Sequence, residues 1–172
     1  MKLDSDDFEL FALPRAFALD RAELDERRRS LQALTHPDRF ATQGGAAQRI
    51  ALQWAVRVNE GYERLKEPVR RAAYLCELLG QRIDAHTNTA MPAAFLMQQM
   101  ELREALDDAR TPEQIEALAA NLAAQRTAAL QRIHDLLDVR RDAAAAAQEV
   151  RALMFLERFA QDIDARLEAL GQ

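Results

Sequence analysis

Leu34-Thr35-His36-Pro37-Asp38-Arg39-Phe40 is a short polar turn set between two long stretches of helical periodicity. Pro37 has no amide hydrogen, and its ring pushes the preceding residue out of helical geometry, so a helix arriving from the N-terminal side must stop here. His36 and Asp38 are thereby carried on a loop. Upstream, Asp20-Arg21-Ala22-Glu23 has capping-box spacing with Asp as the cap, which predicts a helix over 21–35. Leu24, Leu31 and Leu34 recur in it at helical spacing and are expected to form its buried stripe, with Arg27, Arg28 and Arg29 fanned across the outer surface beside the turn. A run of three arginines is most often a solvated face, but next to a displayed His and Asp it favours an acidic protein partner.

Downstream, Ala41-Thr42-Gln43-Gly44-Gly45 reads as a loop, and the spacing then predicts a helix over 46–66 with Ile50, Trp54, Val58, Gly61/Tyr62 and Leu65 on its inner face. Two antiparallel helices joined this way make a hairpin with His36 and Asp38 at one end. Before the hairpin, Asp6-Asp7 offers carboxylates suited to a helix N-terminus, and Pro14 ends the segment, which allows one short turn of helix. Phe8, Phe11 and Leu13 in that turn are expected to form an aromatic plug. After the hairpin, Glu67-Pro68 stops the second helix, and a further helix over 69–79 ends at Gly80. Cys76 sits among its apolar residues and is expected to be a buried structural thiol.

Composition closes off several classes. The 172 residues are 49% hydrophobic and 30% charged, with only five Gly and five Pro, which points to an all-α protein. A net charge of -5 argues against nucleic-acid binding, since phosphate neutralisation calls for a basic face and the clusters Arg70-Arg71 and Arg140-Arg141 are scattered among acids. Cys76 is the only cysteine, so no intrachain disulfide can form. The acidic N-terminus has no signal-peptide core, and nowhere do eighteen apolar residues run together, so a cytoplasmic protein without a membrane partner is expected.

Periodicity breaks over 81–91, where Asp84, His86, Asn88 and their neighbours mark the expected linker between an N-terminal domain, 1–80, and a C-terminal domain, 92–172. Helices are expected over 92–109, 112–139 and 142–170, with Thr111-Pro112 a strong start for the second. Three such helices with short connections make an antiparallel bundle. On the first of them, Phe95, Leu102 and Leu106 suffice to dock it, yet Leu96, Met97 and Met100 lie on another face that continues into Glu101, Glu104 and Asp108. An apolar patch running into acids suits partner binding, and a broad buried face rimmed with charge is the competing reading. Phe155 could join either surface.

Enzyme chemistry finds little support. His36, His86 and His134 are far apart, and no zinc-ligand pair, phosphate loop or nucleophile elbow is present. No catalytic residue, cofactor or metal is therefore assigned.

Five stretches together carry a resemblance: Phe8-Glu9-Leu10-Phe11-Ala12-Leu13-Pro14, His36-Pro37-Asp38-Arg39-Phe40, Pro68 with Arg70-Arg71-Ala72-Ala73-Tyr74-Leu75, Phe95-Leu96-Met97-Gln98-Gln99-Met100-Glu101-Leu102-Arg103-Glu104, and 150–155. With these the chain resembles the HscB-type J-domain co-chaperones of iron–sulfur cluster assembly over nearly its full length. The resemblance implies an L-shaped molecule: an N-terminal J-domain, a helical hairpin with short flanking helices, and a C-terminal three-helix bundle. It implies that His36, Pro37 and Asp38, with the neighbouring basic helix, engage the DnaK-like chaperone HscA and stimulate its ATPase. Scaffold binding, to IscU, falls by the same resemblance on Leu96, Met97, Met100, Glu101, Glu104, Asp108 and Phe155. Two positions depart from the family pattern: Asp108 stands where Glu is usual, and Ala33 where a basic residue is often found. The alternatives are a general J-domain co-chaperone with other clients and, more distantly, a helical enzyme using His36.

Overall fold

The structure, a computed structural model, describes residues 4–36, 38, 44–83 and 92–170, except for the side chain of Leu170. Every element among the described residues is helical: α1 (Asp7–Leu10), α2 (Arg21–Thr35), α3 (Gly45–Lys66), α4 (Pro68–Leu78), α5 (Ala93–Asp108), α6 (Pro112–His134) and α7 (Ala143–Leu170), with a π-helical turn, Asp135–Val139, extending α6. The chain separates into two compact units, 1–75 and 76–172, the division falling within α4.

In the first unit α1 is a single turn, capped by the Asp6 side chain accepting from the Glu9 N–H. Its first residue, Asp7, is fully buried. The Asp7 carboxylate lies 2.6 Å from Arg57 Nη1 and 2.7 Å from Arg64 Nη1, both on α3. Its backbone N–H donates to Tyr74 Oη on α4 at 3.0 Å. Close approach is permitted by Gly61, where a Cβ would stand 3.1 Å from Asp7 Oδ1, Arg57 Nη1 and Phe11 Cε2 alike. Asp7, expected only as a helix-terminal charge, is thus the point at which α1 is fastened to α3. Phe8, Phe11 and Leu13 are buried around it as the expected plug, and Phe17 is buried as well.

The α2–α3 hairpin is held by a polar cluster as well as by its core. Tyr62 Oη donates to Asp25 Oδ1 at 2.8 Å and accepts from Arg21 Nη2 at 2.7 Å. The bonds from Arg21 and Tyr62 hold the Asp25 carboxyl below its ordinary pKa. Toward the loop, Gln32 Nε2 donates to Asn59 Oδ1, so the two helices run antiparallel. Two expected core positions are exposed instead, Leu34 and Ile50. At 100° per residue Leu34 lies about 80° around the axis from Leu24, and Ile50 about 80° from Val58, so both leave the contact line. Thr35 and Ala51, each about 20° off, take the buried places. Arg71, half of the Arg70-Arg71 cluster, is buried as well: Nε donates to Phe17 O at 2.8 Å, Nη1 to Leu65 O at 2.5 Å, and the guanidinium lies over the Phe17 ring.

In the second unit, α4 ends as expected at Gly80, whose φ of +82° lets the Gln81 N–H reach back to Cys76 O. Cys76 is buried, and burial pushes its thiol up to about 11. Arg151 on α7 donates to Ile83 O and Arg82 O. Helix α6 starts at a complete capping box, Thr111 with Gln114 and Pro112 between. It packs on α7 through Ile115, Leu122, Ala129 and Ile133 on one side and Ala146, Val150, Leu153 and Ile163 on the other. Arg126 meets Glu157 and Arg132 meets Glu149 across the pair. Helix α5 completes the bundle with Leu102 and Leu106 buried and Gln98 Nε2 donating to Gln125 Oε1.

Two expectations follow from the α1 dock. Ala12 closes α1 at a φ of +52°, with the Leu13 N–H on Phe8 O, in the left-handed region that costs a residue with a Cβ about 1–2 kcal/mol. Ala12 is exposed, so Ala12→Gly should stabilise the first unit by about 0.5–1 kcal/mol, seen as a higher urea midpoint by fluorescence of Trp54, the one tryptophan. Asp7→Asn should cost about 2 kcal/mol in the same measurement, less than the about 3–5 of a wholly buried pair because Arg57 and Arg64 reach water.

Candidate functional site

Two surfaces carry the residues singled out by sequence, one on each unit. On the first, His36 is the C-cap of α2, with φ -60° and ψ 126°, so the chain leaves the helix axis at this residue. The Asp38 N–H donates to His36 Nδ1 at 3.3 Å, and Asp38 Oδ2 lies 3.5 Å from the same nitrogen. The first contact needs Nδ1 unprotonated, which leaves Nε2 to carry the ring N–H outward; the second is an ion pair only when the ring is protonated. Both side chains are well exposed. Pro37 lies outside the described residues. His36 and Asp38 are open to solvent, a setting that suits recognition by another protein and provides none of the water exclusion that bond-breaking chemistry uses.

The three arginines of α2 do not act as one patch. Arg27 pairs with Glu23 one turn earlier at 3.2 Å. Arg28, expected on the outer surface, is half-buried, with its guanidinium 4.0 Å from the centre of the Tyr62 ring and its Nε without a hydrogen-bond partner. It serves the hairpin more than the surface, because a guanidinium stacked on an aromatic ring gains both attraction and contact area. Arg29 is exposed, and its charge adds to the field that lowers the pKa of Asp25 one turn earlier. Residue identity alone does not separate the three; the position of Tyr62 across the hairpin does.

On the second unit, Leu96, Met97 and Met100 are 46%, 62% and 64% exposed. Glu101, Glu104 and Asp108 are exposed as well, and their spacing continues the same outward stripe along α5. Leu102 and Leu106 occupy the opposite side, against the bundle. Phe155 is placed differently from the rest: it is half-buried, edge-on to Phe95 at 5.7 Å and stacked on Phe159 at 6.2 Å. It therefore belongs to the seam between α5 and α7, and supports the stripe from beneath.

Among the described residues no group of three His, Cys, Asp or Glu side chains could hold a metal ion, and no helix is long and apolar enough to cross a membrane. His86, one of the three histidines, lies outside the described residues.

Comparison with known proteins identifies the family. Residues 91–164 match the family model of the HSCB C-terminal oligomerisation domain. The chain is 49% identical to the co-chaperone protein HscB homolog of Burkholderia multivorans, over 99% of this chain and 98% of that one. It is also 49% identical to the homolog of Bordetella avium, over 93% and 96% of the two chains. Among solved structures it is similar to chaperone HscB from Vibrio cholerae, with 34% identity, a TM-score of 0.82 and coverage of 96% of this chain and 99% of the other. Human co-chaperone protein HscB shares the fold, with a TM-score of 0.91 over 96% of this chain and 84% of the other at 24% identity. With a J-domain hairpin, a C-terminal helical bundle and near-full-length identity at this level, the chain belongs to the HscB family of co-chaperones.

Proposed function

We propose that this chain binds the iron–sulfur cluster scaffold IscU on its C-terminal bundle, delivers it to the DnaK-like chaperone HscA, and stimulates the ATPase of that chaperone through its N-terminal hairpin. The observation that carries the proposal is the exposed stripe of α5, Leu96, Met97 and Met100 running into Glu101, Glu104 and Asp108. Three large apolar side chains in water on a helix that is already docked by its other side have no structural use there, and a partner that covers them gains their burial. The acids beside them steer a basic partner and set its orientation, more than they add affinity. Phe155 holds the Phe95 end of α5 against α7, so its contribution to scaffold binding is to position the stripe.

His36, Pro37 and Asp38 are the activating turn in this proposal, with Arg27 and Arg29 as the cationic approach and Arg28 as their structural support. The chain performs no bond-breaking itself; it lowers the barrier to hydrolysis in the chaperone by binding the chaperone's more reactive conformation.

Replacing His36 with Gln removes the ring but alters no buried contact, so stimulation of the chaperone ATPase should vanish while circular dichroism and scaffold binding stay at parental values. A variant that stimulated as well as the parent would rule out the turn as the activating element. For the stripe, Leu96→Ala, Met97→Ala and Met100→Ala together should weaken scaffold binding by about tenfold or more, because full burial of each is worth about 1.5–3 kcal/mol before association costs are met. The triple variant should melt within about 2 °C of the parent, as exposed positions contribute little to stability. Phe155→Ala, by contrast, should lower the melting temperature. Unchanged scaffold binding by a folded triple variant would place the docking surface elsewhere.

A further inference from the structure

The two halves of α5 carry their apolar side chains on opposite sides. In the C-terminal half Leu102, Leu106 and the C-cap residue Ala109 are buried while Glu101, Glu104 and Asp108 are exposed, so burial of apolar surface is enough to orient it. In the N-terminal half the balance is reversed. At 100° per residue Phe95, Gln98 and Gln99 lie within about 60° of Leu102 and so face the bundle, whereas Leu96, Met97 and Met100 lie about 120–160° from it. The inward side of this half is thus one aromatic ring and two amides, all half-buried, and the outward side is three exposed apolar side chains. Apolar burial by itself would turn this half over. Its start does not hold it either, since the N-cap is Pro92 and no side-chain hydrogen bond caps the helix there.

A polar chain crosses to α6 at this half. Gln98 Nε2 donates to Gln125 Oε1 at 2.8 Å, and Gln125 Nε2 donates in turn to Asn121 Oδ1 at 2.6 Å, one turn back on α6. The second bond fixes which way the Gln125 amide faces, nitrogen toward Asn121 and oxygen toward α5. We infer that this amide chain keeps the N-terminal half of α5 turned with Leu96, Met97 and Met100 outward, which makes Gln98, Gln125 and Asn121 positioning residues for scaffold binding; the inference rests on the role proposed above for the stripe. The edge contact of Phe95 with Phe155, at 5.7 Å, anchors this half but does not choose its side, because a leucine or methionine can fill the same apolar space. The amide bond does choose. With Leu96, Met97 or Met100 in place of Gln98 against α6, the Gln125 oxygen would face a side chain that has no hydrogen to give, and an acceptor stripped of both water and partner is costly. One polar contact in an apolar seam can specify an orientation in this way while adding little to stability. The stripe is then free to be as apolar as a partner requires without collapsing onto its own bundle.

The test uses the full chain and the scaffold IscU. Gln98→Leu with Gln125→Leu removes both bonding partners from the seam, so the variant should melt at or above the parental temperature. It should nevertheless bind the scaffold about tenfold more weakly, because the outward arrangement becomes one of several and affinity falls with its share. Methyl NMR of Met97 and Met100 reads the orientation itself. In the parent a soluble paramagnetic agent should broaden both methyl signals; in the Leu pair the signals should be protected or split. Gln98→Lys with Gln125→Glu puts a donor back on α5 and an acceptor on α6, and should return affinity to within about twofold of the parent. Circular dichroism confirms folding, and Gln98→Leu alone, which leaves α6 intact, gives the same comparison should the Leu pair fail to fold. Methyls as exposed in the folded Leu variant as in the parent overturn the inference, whether affinity falls or not, as does a Lys and Glu pair that binds no better than the Leu pair. The scaffold reading fails separately: if the alanine variant of Leu96, Met97 and Met100 binds scaffold as the parent does, the stripe is not the docking surface, whatever the methyl signals show of how α5 is turned.

Discussion

The first unit depends on one buried carboxylate. Asp7 has no exposure, and two arginines from α3 and a tyrosine from α4 converge on the residue that carries it. Burying a charge is costly unless it is paired and hydrogen-bonded, so the dock of α1 exists only in the geometry that brings Arg57, Arg64 and Tyr74 together. That geometry requires the backbone of α1 to approach α3 where Gly61 lacks a side chain. Phe8 and Phe11 then fall into place beside it as apolar filling. An apolar plug alone could slide along α3, whereas two directed ion pairs fix its register. At the C-terminal end of α2, His36 and Asp38 are left exposed.

Polar side chains do much of the positioning in both units. Tyr62 collects Arg21, Asp25, Arg28 and Lys66 around one ring and hydroxyl, tying the two helices of the hairpin at the end away from the loop. Arg71 donates to the backbone carbonyls of Phe17 and Leu65, closing the turns around them. Arg151 does the same for Arg82 and Ile83 in the second unit. In each case a guanidinium offers several donors in a rigid plane and can satisfy carbonyls that helices leave open at their ends. The arginines that remain at the surface are therefore fewer than the composition implies, Arg28 being drawn onto the Tyr62 ring while its neighbour Arg29 stays exposed.

Helix α5 shows how one element serves two masters. Its inner side, Leu102 and Leu106, is an ordinary bundle contact, and its outer side carries the apolar stripe with the acids. It touches α6 only lightly, and the aromatic seam of Phe95, Phe155 and Phe159 supplies the link to α7. A lightly docked helix with a firm aromatic anchor keeps its outer face available, while the α6–α7 pair makes the bulk of the bundle.

Much of this architecture is legible in the order of the amino acids, because the chemistry that sets it is local. Pro37 and Pro68 end helices because of a missing N–H, Asp20 and Thr111 start them by accepting orphan amide hydrogens, and Gly80 stops one by adopting a positive φ; each effect lies within a few residues of its cause. Helix positions, the hairpin, the bundle and the outward stripe of α5 follow from such signals and from periodicity. The family resemblance is legible for the same reason, since it is carried by contiguous stretches. What the sequence could not determine is where a contact line runs once helices cross: Leu34 and Ile50 match the apolar period yet drift about 80° off it, and Thr35 and Ala51 replace them. Nor could it tell Asp7 from Asp6, Arg28 from Arg29, or Arg71 from Arg70, because neighbours of the same type differ only in which residues far along the chain they meet. Those partners, Arg57 and Arg64, Tyr62, and the carbonyls of Phe17 and Leu65, are brought within reach by tertiary packing alone, which is why burial and charge at these positions were decided by the fold.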